Sequence, residues 1–214
     1  MHLVFLGAPG AGKGTQAKVV SALWNVPHVS TGDIFRAAIK EGTPVGREAK
    51  GYLDRGDLVP DSVVCGIVRE RLARPDCRSG FILDGFPRTV PQAEALEAAL
   101  AELGLPLKAA VNFAIDRAVL VARLSARVTC KACGSVFNTE SNPPKVAGHC
   151  DACGGETYVR DDDRPETVAR RLEEYDRKTA PLESWYRSKG IFHEVDASGA
   201  VPDVTAALRG VVGG

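Results

Sequence analysis

The run GAPGAGKGT, from Gly7 to Thr15, constrains this chain more than any other feature. It follows the apolar segment Leu3-Val4-Phe5-Leu6, which reads as a buried strand, and it opens a helical pattern from about Lys13 to Trp24. Gly7, Gly12 and Lys13 stand at P-loop spacing, in which glycines let backbone N–H groups turn inward around a phosphate. The first turn of the helix adds partial positive charge and Lys13 adds a full one. Gly10, Ala11, Gly12, Lys13, Gly14 and Thr15 are therefore expected against phosphates. The run departs from the usual pattern at one point. Gly14 follows the lysine where a hydroxyl residue is common, and Thr15 comes one later.

Further apolar runs alternate with helical patterns. Phe81-Ile82-Leu83, Ala110 to Ile115 and Ile191 to Val195 read as strands, with His28-Val29-Ser30 a short fifth. Amphipathic stretches lie between them, among them Pro91 to Leu103 and Pro165 to Tyr186. Strand and helix in repetition predict an α/β fold, a doubly wound parallel sheet of five strands with helices on both faces. Two segments break the alternation and read as insertions. From Ser30 to Val59 only short helical pieces are expected, punctuated by Gly42, Pro44, Gly46, Gly51 and Gly56; from Arg127 to Asp163 helical periodicity is lost and Cys, Gly, Pro and Asn collect.

Lys plus Arg and Asp plus Glu are both 27, so a general nucleic-acid or membrane-surface binder is disfavoured. No apolar run reaches the ~18–20 residues that span a bilayer. No cationic segment leads a cleavable apolar stretch at Met1 to Leu6, and a cytoplasmic location is expected. Cys130, Cys133, Cys150 and Cys153 follow a C-x2-C-x16-C-x2-C pattern. In a reducing compartment that pattern suits a closed four-thiolate zinc site rather than two disulfides. Cys65 and Cys77 have no partner at ligand spacing and read as ordinary thiols. Guanine-specific switch proteins share the phosphate loop but read their base with Asn-Lys-x-Asp; none of Asn25, Asn112, Asn138 or Asn142 is followed by Lys.

Taken in order, GAPGAGKGTQAK from Gly7, STGDIFR from Ser30, GDLVPD from Gly56, LDGFPRT from Leu83, DDDRPETVARRLEEY from Asp161 and the cysteine quartet resemble the adenylate kinase family in its bacterial, long-lid, zinc-binding form. The likeness covers nearly the whole chain. It implies a core from residues 1–29, 60–126 and 164–214, a mobile AMP-binding subdomain at 30–59, and a zinc-bearing lid over ATP at 127–163. It further implies that Thr31 and Arg36 hold AMP, that Asp57, Leu58 and Val59 line its base pocket, and that Gly85, Phe86, Pro87 and Arg88 grip it, Arg88 on the phosphate. Gln92 would recognise adenine, its amide being donor and acceptor at once. By itself, Gln92 one turn into a helix reads as a solvated side chain.

The activity implied is reversible transfer from magnesium ATP to AMP, giving two ADP, in a monomer that contacts neither nucleic acid nor membrane. An AMP phosphate oxygen is already largely ionised at neutral pH, its second pKa being about 6, so no general base is required. The difficulty is to bring two polyanions into line. Lys13, Arg36, Arg88, Arg127, Arg160 and Arg171 supply the countercharge, with Arg123 a helper. Arg123 and Arg127, four apart on an expected helix, would share a face. In the helix beyond Pro165, Val168, Leu172 and Tyr175 fall on one face; Arg171 lies about 60° off its centre and Arg170 points away. Asp84 is expected to hold water on magnesium, with capping of the Gly85 turn as the other reading. Asp162 and Asp163 would latch onto arginines. Val136 and Phe137 would approach adenine, Phe137 suiting equally the packing of the metal knuckle. A UMP or CMP kinase, or more distantly a zinc ribbon contacting nucleic acid, is the competing reading. The latter suits poorly a segment with Arg127, Lys131, Lys145 and Arg160 against Glu140, Asp151, Glu156, Asp161, Asp162 and Asp163.

Overall fold

A computed structural model describes residues 1–213. In chain order the first elements are β1 (His2–Leu6), α1 (Lys13–Trp24), β2 (His28–Ser30), α2 (Thr31–Lys40), α3 (Pro44–Arg55), α4 (Asp61–Leu72), β3 (Phe81–Asp84), α5 (Val90–Leu103), β4 (Ala109–Ala114) and α6 (Arg117–Ser125). They are followed by β5 (Arg127–Cys130), β6 (Val136–Asn138), β7 (Thr157–Tyr158), α7 (Pro165–Glu174), α8 (Pro181–Ser188), β8 (Phe192–Asp196) and α9 (Val201–Val212).

Five strands form one parallel sheet in the order β2-β3-β1-β4-β8. Alternate residues of β1 explain why both faces need cover, since successive side chains of a strand point to opposite sides. Leu3 and Phe5 join a cluster with Val20 of α1, Leu124 of α6, Leu172 of α7 and Leu208 of α9. Val4 and Leu6 join another with Leu72 of α4, Leu96 of α5 and Leu182 of α8. The central strand β1 has β3 on one side and β4 on the other, so the strand order switches at its C-terminal end. Such switch points open the crevice where doubly wound sheets hold ligands, and Gly7 to Thr15 begin there.

The insertion at 30–59 is more regular than its glycines suggest. It holds two full helices, α2 and α3. Ser30 caps the first by accepting from the Asp33 N–H at 3.2 Å, and Thr43 caps the second from the Gly46 N–H at 3.0 Å. Gly46 lets the two helices touch: a Cβ there would lie 2.1 Å from the Ala38 carbonyl oxygen. The amphipathic stretch after Pro165 is likewise not one helix. Between α7 and α8, residues Tyr175–Thr179 form a π turn.

Helix α6 stops at Ser125, so Arg123 and Arg127 do not share a helical face, contrary to expectation. The end of β6 closes the helix: the Asn138 side-chain amide donates to the Arg123 carbonyl at 3.2 Å, and the Thr139 N–H donates to the Ala126 carbonyl at 2.8 Å. The β-branched Val128 and Thr129 then continue as β5, the centre of a three-stranded antiparallel sheet ordered β6-β5-β7.

Gly46→Ala forces the α2–α3 crossing apart. It should destabilise the protein by about 1–3 kcal/mol, read as a lower urea midpoint at unchanged slope.

Candidate active site

The phosphate loop turns away from β1 at Gly7, where a Cβ would sit 3.0 Å from the Phe113 carbonyl oxygen on the neighbouring β4. Lys13 folds back over the loop, its Nζ donating to the carbonyls of Gly7 at 2.6 Å and Ala8 at 2.9 Å. Burial pushes this ammonium down to about 8; Asp84 opposes the shift, while the charges of Arg88, Arg171 and Arg127 add to it. The departure at Gly14 has a steric reason. A Cβ there would lie 3.2 Å from Asp84 Oδ2, so the position after the lysine abuts a carboxylate. Thr15, on the first turn of α1, is exposed toward the cleft.

Asp84 ends β3 beside Phe5 of β1 and Ser30 of β2. Its Oδ2 lies 3.2 Å from Nε2 of His28, so it does not simply cap the Gly85 turn. Burial would raise this carboxyl, but the His28 hydrogen bond and the Lys13 charge hold it below the usual carboxylate range. His28 was legible only as a strand residue, because a lone histidine in a three-residue strand carries no motif. At Gly85 the chain takes a φ of 78°, which presents its carbonyl to two donors: Thr31 Oγ1 at 2.9 Å and Arg88 Nε at 2.8 Å. Burial, then the neighbouring Arg171 charge, pushes Arg88 down to about 10. Gln92 is not a solvated side chain. It is 2 % exposed; its Oε1 accepts from the Arg88 N–H at 2.8 Å and its Nε2 donates to Asp61 Oδ1 at 2.7 Å.

Above the loop runs a ring of arginines. Arg127 forks onto Asp163, with Nε 2.7 Å from Oδ2 and a second contact from Nη2 to Oδ1. Arg171 Nη1 reaches Asp163 Oδ1 at 3.0 Å, the Asp162 carbonyl at 2.8 Å and Asp162 Oδ2 at 3.1 Å. Burial would raise the Asp162 carboxyl; Arg171, Arg127 and Arg160 more than offset it and keep it low. Arg160 donates to Thr129 Oγ1 at 2.8 Å and is pushed down to about 10 by burial, then by Arg36 and Arg127. Arg36 pairs with Asp33 at 2.5 Å. Arg123 holds the carbonyls of Ala197 at 2.9 Å and Ser198 at 3.1 Å. Arg170 stays outside, bridging to Asp57 at 2.6 Å.

One cleft of about 960 Å³ gathers much of this chemistry. Its lining includes Gly10 to Thr15, Asp84, Gly85, Pro87, Arg88 and Leu58, together with Arg36, Arg123, Arg127, Arg160 and Arg171. Val136 and Phe137 also face it, although Phe137 is 9 % exposed and packs beside Cys130 and Cys150. Thr31, Val59, Phe86 and Gln92 are buried and do not line this cleft, and Asp57 turns outward to Arg55 and Arg170. The loop from Ala197 to Val201 lines the cleft without any sequence signal. Gln16 anchors it through Nε2 to the Val201 carbonyl at 2.9 Å.

Beyond the cleft, the Sγ atoms of Cys130, Cys133, Cys150 and Cys153 all lie within 4.8 Å of one another. The pairs Cys130–Cys153 and Cys133–Cys150 stand 3.5 Å apart, too far for disulfides, and all four thiols are free. Two matching knuckles aim them: the Gly134 N–H donates to the Cys130 carbonyl at 3.1 Å and the Gly154 N–H to the Cys150 carbonyl at 2.8 Å. Gly155 keeps the space open, since a Cβ there would meet Cys130 Sγ at 3.2 Å. Thiolates around one tetrahedral ion at about 2.3 Å would be about 3.8 Å apart, so this donor set fits a metal.

A phosphate loop at a sheet switch point, facing convergent cations in one cleft, defines a P-loop phosphotransferase. The family model described as adenylate kinase matches residues 5–191. An adenylate kinase from Geobacter sulfurreducens is 56 % identical over 204 residues, covering 95 % of this chain and 94 % of its own. Those from Geobacillus sp. and Bacillus subtilis are 52 % and 50 % identical over 214 residues, each covering 100 % of this chain and 99 % of its own. The chain belongs to the adenylate kinase family and is thus a nucleoside monophosphate kinase.

Because Lys13 in the free cleft loses its proton near pH 8, a polyphosphate placed on it should draw that proton back. Calorimetry of ATP binding between pH 8 and 9, in buffers of differing ionisation enthalpy, should show proton uptake; Lys13→Met should abolish it, and at pH 6 it should vanish because the ammonium is already charged.

Proposed function

We propose that this adenylate kinase moves the terminal phosphoryl group of magnesium ATP onto AMP by in-line attack of an AMP phosphate oxygen, giving two ADP. A bond forms from that oxygen to the terminal phosphorus as the bridging bond to the β-phosphate breaks. The observation that carries this reading is the crowding of Lys13, Arg36, Arg88, Arg127, Arg160 and Arg171 around one cleft. Burial and mutual repulsion depress Lys13, Arg88 and Arg160 together. A site that bears this cost without a ligand is built for anions, and about four net negative charges of the paired nucleotides would relieve it.

In this reading Gly10 to Thr15 and Lys13 hold ATP phosphates, and Arg88 grips the AMP phosphate from the Gly85 turn. Asp84, held ionised by its His28 hydrogen bond and the Lys13 charge, would hold water on the magnesium that arrives with ATP, an ion that would shield the ATP charges. Arg123 and the loop beyond Ala197 build the ATP side with Val136 and Phe137. Arg36 and Leu58 face the AMP side, the Asp57 backbone borders its base pocket, Thr31, Val59 and Phe86 support it from behind, and Gln92 is the residue that reads the base. The segments 30–59 and 127–163 act as mobile covers on the 1–29, 60–126 and 164–214 core. Closure excludes water, which would otherwise accept the phosphoryl group. Asp163, 3 % exposed and shared by Arg127 and Arg171, latches the cover to the core. The four thiolates would hold structural zinc and so staple a segment whose apolar cluster is Val128, Cys130, Phe137 and Cys150.

We read the protein as a cytoplasmic monomer; among the described residues no helix is long and apolar enough to cross a membrane. Selectivity for AMP over UMP or CMP rests on Gln92, whose amide would exchange its Asp61 or Arg88 partner for the base. Nucleic acid is a poor partner for the acidic 127–163 segment.

A coupled assay should give two ADP per ATP and AMP, with UMP, CMP and GMP far slower. Arg88→Ala should lower kcat/KM by about 100-fold or more at unchanged unfolding temperature; turnover near the parent's would refute its role. Cys130→Ser, or metal removal by a chelator, should lower the unfolding temperature far more than turnover at 25 °C; unfolding that stays put would refute the staple.

A further inference from the structure

Four hydrogen bonds around Gln92 all run in one direction. The Arg88 N–H donates to Gln92 Oε1 at 2.8 Å, and Gln92 Nε2 donates to Asp61 Oδ1 at 2.7 Å. The other carboxylate oxygen of Asp61 accepts the Thr89 hydroxyl proton at 2.9 Å. Thr89 caps α5, its Oγ1 accepting the Gln92 N–H at 3.2 Å. Asp61 is the first residue of α4, so the start of one helix holds the side chain at the start of another. Asp61 itself does not line the phosphate cleft.

This set of partners allows the amide only one orientation. A backbone N–H only donates and a carboxylate only accepts, so Gln92 must turn its oxygen to Arg88 and its nitrogen to Asp61. Turned end for end, it would set oxygen against carboxylate and N–H against N–H. Gln92 is 2 % exposed, so water could relieve neither clash. Asp61 is the firmer of the two partners, because a charged acceptor makes the stronger hydrogen bond. The Arg88 N–H is therefore the partner that an arriving base would displace, and Asp61 keeps the direction of the amide. An unrestrained amide reads either polarity of base edge by turning over. A restrained one reads a single polarity. Adenine carries an amino donor at C6, whereas a 6-oxopurine carries an acceptor there, with a donor on the adjacent ring nitrogen.

We propose that Asp61 is a positioning residue for purine selectivity: by fixing which end of the Gln92 amide is oxygen, it lets the acceptor site take 6-aminopurine nucleoside monophosphates and reject their 6-oxo counterparts. This role rests on Gln92 being the residue that meets the base. Asp61 acts through it and does not touch the nucleotide.

The test compares kcat/KM, with ATP as donor, for AMP, IMP and purine riboside 5′-monophosphate, which carries only hydrogen at C6. In the parent the unsubstituted purine should fall below AMP, and IMP lower still, about 100-fold or more below AMP. Hydrogen at C6 merely forgoes a bond, but a 6-oxygen meets the amide oxygen. Asp61→Asn keeps the shape of the side chain while accepting either end of Gln92. It should raise IMP kcat/KM about tenfold and bring IMP level with the unsubstituted purine, at unchanged ATP KM. Parallel loss for AMP and IMP in Asp61→Asn, with their ratio unmoved, is what a merely structural carboxylate gives, and it overturns the role. So does IMP equal to or better than the unsubstituted purine in the parent, a measurement that needs no variant. Gln92→Met should collapse the AMP-to-IMP ratio, and Asp61→Asn added to it should move that ratio no further. Collapse in Gln92→Met with an unmoved ratio in Asp61→Asn strikes Asp61 alone. An unmoved ratio in Gln92→Met strikes the reading of Gln92, and the role of Asp61 with it.

Discussion

Six cationic side chains share one cleft, and without an anion they repel one another in a place where water screens them poorly. The rest of the architecture serves that constraint. Burial and neighbouring charges push Lys13 down to about 8 and Arg88 to about 10. Two remedies are built in. Lys13 is tied to the carbonyls of its own loop, and Arg127 and Arg171 share the buried Asp163. The Lys13 tie is of a kind that gives way to a phosphate, because a loop carbonyl is a weaker partner for an ammonium than an anion is. A cleft made neutral by permanent pairing would bind nothing.

The scaffold answers a positional demand. Cations from α1, α2, α7, the turn after β3 and the β5–β7 sheet must converge on one cleft, though they are far apart in sequence. The parallel sheet does this by ending β1 and β3 at the same edge, so that the phosphate loop and Asp84 emerge side by side. Gly14 records how tight the arrangement is, since the side chain common at that position would press on the Asp84 carboxylate. The three-stranded sheet has few apolar residues, and its cysteine quartet would supply through coordination what a core supplies elsewhere.

Charged residues on opposite faces of one helix differ in what they can do. Arg171 and Arg170 are adjacent, yet Arg171 reaches Asp162 and Asp163 while Arg170 bridges outward to Asp57. Helical phase alone separated them, because Val168 and Leu172 fix which side of α7 meets the core. Phase failed for Arg123 and Arg127, since the helix that would have joined them is ended by Asn138 and Thr139, residues remote in sequence. The same limit hid Gln92, which reads as a surface residue until Asp61 and the Arg88 backbone are seen around it.

The sequence by itself determined what depends on local order: the phosphate loop after a strand, the alternation that yields a five-stranded parallel sheet, the cysteine spacing and the family. These are properties of neighbours along the chain, and backbone geometry translates them directly. Only the tertiary structure decided which donors are already occupied, where α6 stops, that His28 stands on Asp84, and that the residues 197–201 wall the cleft. Those outcomes turn on contacts between segments tens to hundreds of residues apart, and no local pattern carries them, because burial and hydrogen-bond satisfaction are settled by whichever groups the fold happens to bring within about 3 Å.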